Sequence, residues 1–241
     1  MAQGVAYAAR LRGVPATIVV PDGAPATKID AVRRFGGTVV SLPYDEWWRV
    51  LVEGRYDGAA GLFVHPVDDA RVMAGNGTIG LELLDDLPDL DGVVVPFGGG
   101  GLVTGIASAV KGLAPGVRCY AAEPATGAVA SASYAAGEPV EVDYVRSYVD
   151  GAGSRSLITN VWAQARELLD GAVAVPLDAA AASVRLIAER ARVIAEGAGA
   201  LALAAALAGE AGGGKVACIV SGGNIDPHVF ARILAGETPQ V

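Results

Sequence analysis

The chain has 241 residues, of which 52% are hydrophobic and 18% charged, and it carries a net charge of -8 at pH 7. A chain of this length and apolar content can bury enough surface to fold, which excludes a disordered protein. The acidic balance and the lack of a polybasic run argue against a nucleic-acid partner. No run reaches the ~18 consecutive apolar residues that a membrane span needs, and the N-terminus shows no secretory pattern, so we expect a cytoplasmic protein.

Short β-branched runs alternate with segments of helical spacing, which is typical of an α/β fold with a mostly parallel sheet. In chain order, the sequence predicts strands at Ala16–Val20, Thr38–Ser41, Gly61–His65, Gly92–Phe97, Arg118–Ala122, Ala172–Val175 and Lys215–Val220. It predicts helices at Ala2–Leu11, Thr27–Phe35, Thr78–Leu87, Leu102–Leu113 and Asp178–Arg192. A domain boundary is predicted near His65-Pro66. The stretch from Gly137 to Arg155 is predicted to be a long binding or lid loop, or to contain a short helix.

The first glycine pattern, Gly75-Asn76-Gly77-Thr78-Ile79-Gly80, spells G-x-G-x-x-G. A dinucleotide fingerprint requires an apolar strand immediately before it and an acidic residue about 20 positions later. The sequence before it is DDARVMA, and about 20 residues later the chain enters another glycine run. We therefore interpret these glycines as a helix start with close backbone packing.

The second pattern, GVVVPFGGGGLVTGIASAVKG, has a different context. An apolar strand ends at Phe97, four glycines follow, and a helix opens at about Leu102. Consecutive glycines let several amide N–H groups point at one place, and the helix N-terminus adds its positive dipole end, which together favour a phosphate. The alternative is a tight turn, for which one or two glycines would suffice. The Lys and Ser/Thr of a P-loop are missing, which argues against a nucleoside triphosphate.

The segment KVACIVSGGNIDPHVFARIL repeats this order: an apolar strand, then Ser221-Gly222-Gly223-Asn224, then a helix. In a parallel sheet both loops lie at the carboxyl edge, where ligands bind, so the two loops can face one ligand. Taken alone, Ser221 would be interpreted as a turn or capping hydroxyl.

Seven segments in this order resemble fold type II pyridoxal 5'-phosphate (PLP) enzymes of the serine/threonine dehydratase and serine racemase group. They are AQGVAYAARLRGVPATIVVPDGAPATKIDAVRRFGG, HPVDDARVMAGNGTIGLELL, VPFGGGGLVTGIA, YAAEP, VDGAG, AEGAGALALAAAL and VSGGNID. The resemblance runs the length of the chain. It implies a three-layer α/β fold with a parallel sheet, similar to tryptophan synthase β. Residues 1–65 would be the remainder of the small domain and residues 66–241 the large PLP-binding domain.

The resemblance implies roles for several residues. The glycine loop would bind the cofactor phosphate through Gly98, Gly99, Gly100, Gly101 and Leu102. Ser221 would hydrogen-bond the pyridine nitrogen. A hydroxyl there makes the ring a weaker electron sink than an Asp would, which suits loss of a β-hydroxyl.

Further positions are implied by the same resemblance. Glu196 matches an active-site carboxylate near the ring, with a first-turn helix acid as the alternative. Asp150 and Gly151 match the segment that lines the substrate side. Glu123 matches the Glu through which some relatives bind a divalent cation, but no second carboxylate follows it closely, so we predict no metal site.

Two positions depart from the group. Asn76 stands where relatives often have Gln, and Val67 stands where racemase-like members place a polar residue that touches the cofactor. Both departures weigh against racemisation. The implied reaction is β-elimination on L-threonine, L-serine or a related β-hydroxy amino acid, giving a 2-oxo acid and ammonia. The resemblance also implies a homodimer, and no regulatory domain is expected after Val241.

The reaction of this group needs a lysine that bonds to PLP, and it lies in an N-terminal segment that the sequence does not match. The three lysines of the chain, Lys28, Lys111 and Lys215, do not occupy that position. The sequence thus predicts an N-terminally truncated member that is inactive by itself. Either it is a truncated or misassigned product in which Met1 is an internal methionine of a longer chain, or it is one half of a split enzyme whose N-terminal part is a separate chain. The alternative is a lysine-free, non-catalytic remnant that binds PLP or another phosphate.

Overall fold

The computed structural model describes residues 1–240 and divides the chain into two compact units, one of Met1–Pro66 and one from Val67 onward. The elements of the first unit are α1 (Ala2–Arg12), β1 (Thr17–Pro21), α2 (Ala26–Arg34), β2 (Thr38–Leu42) and α3 (Tyr44–Glu53). Strands β1 and β2 pair in parallel, with Thr17 opposite Thr38. Ala6, Ile18 and Val32 form the buried centre of this unit.

The second unit is built on a parallel sheet. Its elements are α4 (Ala70–Asp86), β3 (Gly92–Pro96), α5 (Gly101–Leu113), β4 (Arg118–Pro124), α6 (Val129–Ala136), α7 (Thr159–Leu168), β5 (Gly171–Val175), α8 (Leu177–Ala191), α9 (Gly197–Leu207), β6 (Val216–Cys218) and α10 (Pro227–Leu234). In the described part of the chain the sheet has four strands, in the order β5-β4-β3-β6. The prediction of an α/β fold with parallel strands is confirmed.

Helices cover both faces of the sheet. Val94 of β3 belongs to a buried cluster with α8 and α9, whereas Val93 and Val95 belong to a second cluster with α5. Every residue of β3 is buried. This explains the uninterrupted apolar run in the sequence, because a strand covered on both faces has no solvent side to mark with polar residues.

The strand predicted at Gly61–His65 is wrong. The structure shows irregular backbone there, and Gly61 has a φ of 126°, which lies outside the strand region. His65 is buried, and its Nε2 lies 2.9 Å from the carbonyl oxygen of Leu51 in α3. The apolar residues of this stretch therefore do not indicate a strand paired in a sheet.

The helix predicted at Thr78–Leu87 begins eight residues earlier, at Ala70. Asp69 caps it, because its Oδ1 accepts a hydrogen bond of 2.8 Å from the amide of Arg71. Hydrogen bonds from the side chain and the amide of Arg71 lower the pKa of Asp69 to about 2. The glycines at 75–80 thus lie inside α4 and not at its start. The predicted close packing is found at Gly77 and Gly80 but not at Gly75, where a Cβ would meet nothing within 4 Å.

Four helices have no counterpart among the predicted ones: α3, α6, α7 and α9. The helix predicted after the last glycine pair is present as α10. Helix α9 is Ala-rich and almost entirely buried, so it has no polar face to give it helical periodicity.

The loop predicted from Gly137 to Arg155 is irregular in the structure, from the end of α6 to the start of α7. Among residues 1–240, no helix has the length and apolar character to cross a membrane.

Candidate functional site

The loop between β3 and α5 is short, since β3 ends at Pro96 and α5 begins at Gly101. Gly100 precedes the helix with a φ of 89°, a left-handed conformation that favours glycine. It is the only one of the four loop glycines with positive φ. Backbone conformation therefore explains one glycine, and the other three need another explanation.

Close packing accounts for the remaining glycines. A Cβ on Gly101 would lie 2.6 Å from the Cα of Val67, and one on Gly99 would lie 2.7 Å from its Cγ1. A Cβ on Gly98 would lie 3.3 Å from the Cα of Ala152. The loop is thus pressed against two other segments of the second unit. The glycine content alone therefore does not indicate an anion site, which depends on the backbone amides of the loop.

Those amides are arranged as an anion site requires. The first N–H groups of an α-helix have no intrahelical acceptor, and at α5 they belong to Gly101, Leu102 and Val103. Within residues 1–240, none of the amides from Gly98 to Val103 donates to a backbone carbonyl of another loop. The positive end of the helix dipole lies at the same place. This end of α5 can therefore bind a phosphate.

The structure brings several of the predicted site residues together. The amide of Gly153 donates to the carbonyl oxygen of Phe97 at 3.0 Å, which ties the segment after Asp150 to the glycine loop. A Cβ on Gly151 would lie 3.5 Å from Oε1 of Glu196. A Cβ on Gly222 would lie 2.6 Å from the same oxygen. A continuous series of contacts therefore runs from the glycine loop through Gly151 and Glu196 to the last glycine pair.

Glu196 is the residue immediately before α9, and its side chain makes no capping hydrogen bond to that helix. Its amide donates to the carbonyl oxygen of Gly222 at 2.9 Å. Its carboxylate is directed toward Gly151 and Gly222. Ser221, next to Gly222, is exposed, as is Asp150. The polar side chains predicted for the ring and substrate sides thus lie near this group of glycines.

Glu123 has a different environment. It lies in β4 and is fully buried, and its two carboxylate oxygens accept hydrogen bonds from the amides of Ala130 at 3.0 Å and Ser131 at 2.6 Å. Burial raises the pKa of Glu123, and the two amide bonds oppose that rise. The carboxylate therefore caps the N-terminus of α6. In the described part of the chain, no group of three His, Cys, Asp or Glu is arranged to hold a metal ion.

Two of the three lysines are engaged in ion pairs remote from the glycine loop. Lys111 Nζ lies 2.8 Å from Oδ2 of Asp170, and it is ten residues into α5, about 15 Å along the helix axis from Gly101. Lys215 directly precedes β6 and pairs with Asp89. Lys28 lies on α2 in the first unit.

The residues that support the loop carry no recognisable signal in the sequence. Val67 and Asn76 stand out only as departures from relatives, and nothing in the sequence indicates that Val67 packs on Gly99 and Gly101. Ala152 is equally inconspicuous. The residues in these contacts are 25 to 54 positions apart in the chain, so local patterns carry no signal for them.

Residues 1–222 match the family described as pyridoxal-phosphate dependent enzyme. The chain belongs to this family, which confirms the predicted PLP-dependent class. Within it, the relatives are those of the serine/threonine dehydratase and serine racemase group, and the type II fold is confirmed with them.

Three comparisons define these relationships. The chain is 41% identical over 237 residues to an L-threonine ammonia-lyase of Geobacter sulfurreducens, covering 97% of this chain and 59% of that protein. It is 36% identical over 244 residues to a serine racemase of Oryza sativa subsp. indica, covering 95% of this chain and 70% of that one. The processed form of threonine deaminase isoform 2 from Solanum lycopersicum superposes with a TM-score of 0.85 at 33% identity, covering 99% and 71%. The chain thus spans 59% of the length of its ammonia-lyase relative.

Proposed function

We propose that this chain carries the PLP-binding part of a dehydratase that eliminates the β-hydroxyl of L-threonine, L-serine or a related β-hydroxy amino acid, giving a 2-oxo acid and ammonia. The observation that carries the proposal is the cluster of amides at the start of α5, beside the contacts that join Gly98, Gly151, Glu196 and Gly222. The ammonia-lyase relatives support the choice of reaction.

The residues present fit the phosphate of PLP. Val67 and Ala152 leave no room for side chains on the loop glycines, so the loop presents only its backbone. No side chain of these glycines covers the amides of Gly98 to Leu102. Backbone N–H groups at a helix N-terminus are suited to a doubly charged phosphate. When bound, PLP withdraws electrons from the substrate carbon that bears the amino group.

We assign roles to the remaining side chains on the same basis. The Ser221 hydroxyl would donate to or accept from the pyridine nitrogen and hold the ring without a full opposing charge. Glu196 would lie beside the ring and orient it. Asp150 and Gly151 would line the substrate side. Each role is consistent with the position of these residues around Gly222 and the glycine loop.

The apolar residue Val67, which lies against the glycine loop, favours elimination over racemisation. The side chain of Val67 contacts the glycine loop and is apolar, so this side chain cannot donate or accept a proton next to the cofactor. Racemisation at Cα requires a second group that returns a proton from the opposite face. Serine racemases are nevertheless among the relatives, and racemase activity on serine is the direct comparison to assay.

The chain on its own is proposed to bind PLP reversibly and without turnover, because Lys111 and Lys215 are held in ion pairs away from the loop. To test this, the protein is mixed with PLP, treated with borohydride and mapped by mass spectrometry. We expect no stoichiometric adduct at Lys28, Lys111 or Lys215 and no 2-oxo acid from L-threonine or L-serine. The chain unfolded in urea serves as the control for general lysine labelling. A stoichiometric adduct at one lysine, together with 2-oxo acid formation, would contradict the proposal.

The second candidate function is a non-catalytic module that binds PLP or another phosphate. The ion pairs of Lys111 and Lys215 are compatible with it, since both side chains already contact a carboxylate. Adding a separately produced N-terminal segment from the Geobacter relative distinguishes the two candidates. Restored turnover supports a split or partial dehydratase, and binding without turnover supports the module.

We further propose, from the family, that residues 1–65 belong to the small domain and residues 66–241 to the large PLP-binding domain. A cytoplasmic homodimer is the assembly proposed on the same basis. The division of the structure into Met1–Pro66 and a second unit from Val67 is compatible with these domain limits.

A further inference from the structure

The side chain of Asn76 links α4 to the first turn of α5. Its Nδ2 donates a hydrogen bond of 3.2 Å to the carbonyl oxygen of Gly101, and the residue is half-buried. Asn76 lies in the middle of α4, where a short polar side chain has no intrinsic advantage over a better helix former. A contact with the neighbouring helix therefore explains this residue.

The two helices approach closely at this point, which fixes the position of Asn76. A Cβ on Gly77 would lie 3.1 Å from the carbonyl oxygen of Gly105, and one on Gly80 would lie 2.9 Å from that of Ile106. A Cβ on Gly105 would lie 2.3 Å from the carbonyl oxygen of Met73 and 2.9 Å from the Cβ of Asn76. Because α4 and α5 are in backbone contact, the Asn76 amide has little freedom to leave Gly101.

The hydrogen bond acts on one of the cradle amides. The carbonyl of Gly101 and the N–H of Leu102 belong to the same peptide group, so a donor on the oxygen polarises the N–H. A carbonyl oxygen has two lone pairs and can accept from Asn76 as well as from its own helix. The Leu102 amide, at the start of α5, is thereby both oriented and made a stronger donor.

We propose that Asn76 is a positioning residue for the phosphate site, acting through the Gly101–Leu102 peptide without touching the ligand. The inference rests on the proposed function, since it assumes that the start of α5 binds phosphate. The segment Gly75-Asn76-Gly77 of α4 would then contribute to ligand binding as well as to helix packing.

The test compares pyridoxamine 5'-phosphate with pyridoxamine, which differ in the phosphate and have no aldehyde to react with lysine. In Asn76→Leu, which is similar in size but has no donor, we expect affinity for the phosphorylated compound to fall roughly threefold to tenfold, the range for one neutral hydrogen bond. Affinity for pyridoxamine should stay the same. The amide proton resonance of Leu102 should move upfield in the ligand-free protein. Asn76→Gln, which keeps the donor, should recover most of the affinity.

Thr78→Val is the matched control, because the Thr78 hydroxyl donates to the Gly75 carbonyl within α4 at 2.9 Å and is exposed. This variant should change neither affinity. If the wild type prefers the phosphorylated compound, an equal loss of affinity for both ligands in Asn76→Leu, or no loss for either, would overturn the inference. A wild type without that preference would overturn the proposed function and the inference together.

Discussion

Replacing Gly99 with Asp is expected to weaken PLP binding at least about 100-fold. The new carboxylate would stand in the loop whose amides are proposed to hold the phosphate, and like charges about 5 Å apart repel by roughly 3 kcal/mol at an effective dielectric of 20. The Cβ alone would also lie 2.7 Å from Cγ1 of Val67. The measurement is a fluorescence or calorimetric titration of the variant with PLP.

Two controls separate charge from packing. Gly99→Ala adds the same Cβ against Val67 without the carboxylate, so we expect a smaller loss than in Gly99→Asp, and the difference between the two variants measures the effect of the charge. Gly112→Asp places the same charge near the other end of α5, where a Cβ meets nothing within 4 Å, and PLP affinity should be unchanged. Unchanged PLP binding in Gly99→Asp would mean that the glycine loop is not the phosphate site.

Replacing Gly105 with Ala is expected to lower the free energy of unfolding of the protein by about 3 kcal/mol, the upper range for overpacking a close contact. A Cβ at this position would lie 2.3 Å from the carbonyl oxygen of Met73, which is backbone and cannot rotate away. Helices α4 and α5 would have to separate. Urea unfolding followed by circular dichroism measures the change.

Gly112→Ala is the matched control on the same helix. Since nothing lies within 4 Å of a Cβ at Gly112, the substitution should stabilise the protein by up to about 1 kcal/mol through helix propensity. If Gly105→Ala and Gly112→Ala had the same effect on the free energy of unfolding, the close approach of α4 and α5 would not exist in solution.

The sequence carries local signals for the core of the site. The run from Gly92 to Phe97 is apolar on both faces and is followed at once by glycines, so the order strand, glycine loop, helix can be read directly, and the structure has β3 and α5 within one residue of it. The residues that match the family motifs, including Gly151, Glu196 and Gly222, could be brought together only by the resemblance. Their mutual contacts join segments far apart in the chain.

Two other features of the sequence, Gly61–His65 and the glycines of α4, led to wrong predictions, and each has a physical reason. Gly61–His65 has the composition of a strand, but its buried His65 contacts a carbonyl of α3 and the backbone is irregular. The glycines inside α4 suggest a helix start when only the sequence is considered. The residue that caps the helix, Asp69, lies six residues before Gly75. Glycine in a helix interior is locally unfavourable, and only the close approach of α5 explains it.

Calorimetric titration of the unmodified chain with pyridoxamine 5'-phosphate and with pyridoxamine shows whether the start of α5 holds the cofactor through its phosphate. Charge-assisted hydrogen bonds from a few amides contribute about 3 kcal/mol together, so we predict binding roughly 100-fold tighter for the phosphorylated compound. Equal affinities for the two compounds would mean that the start of α5 does not bind the phosphate.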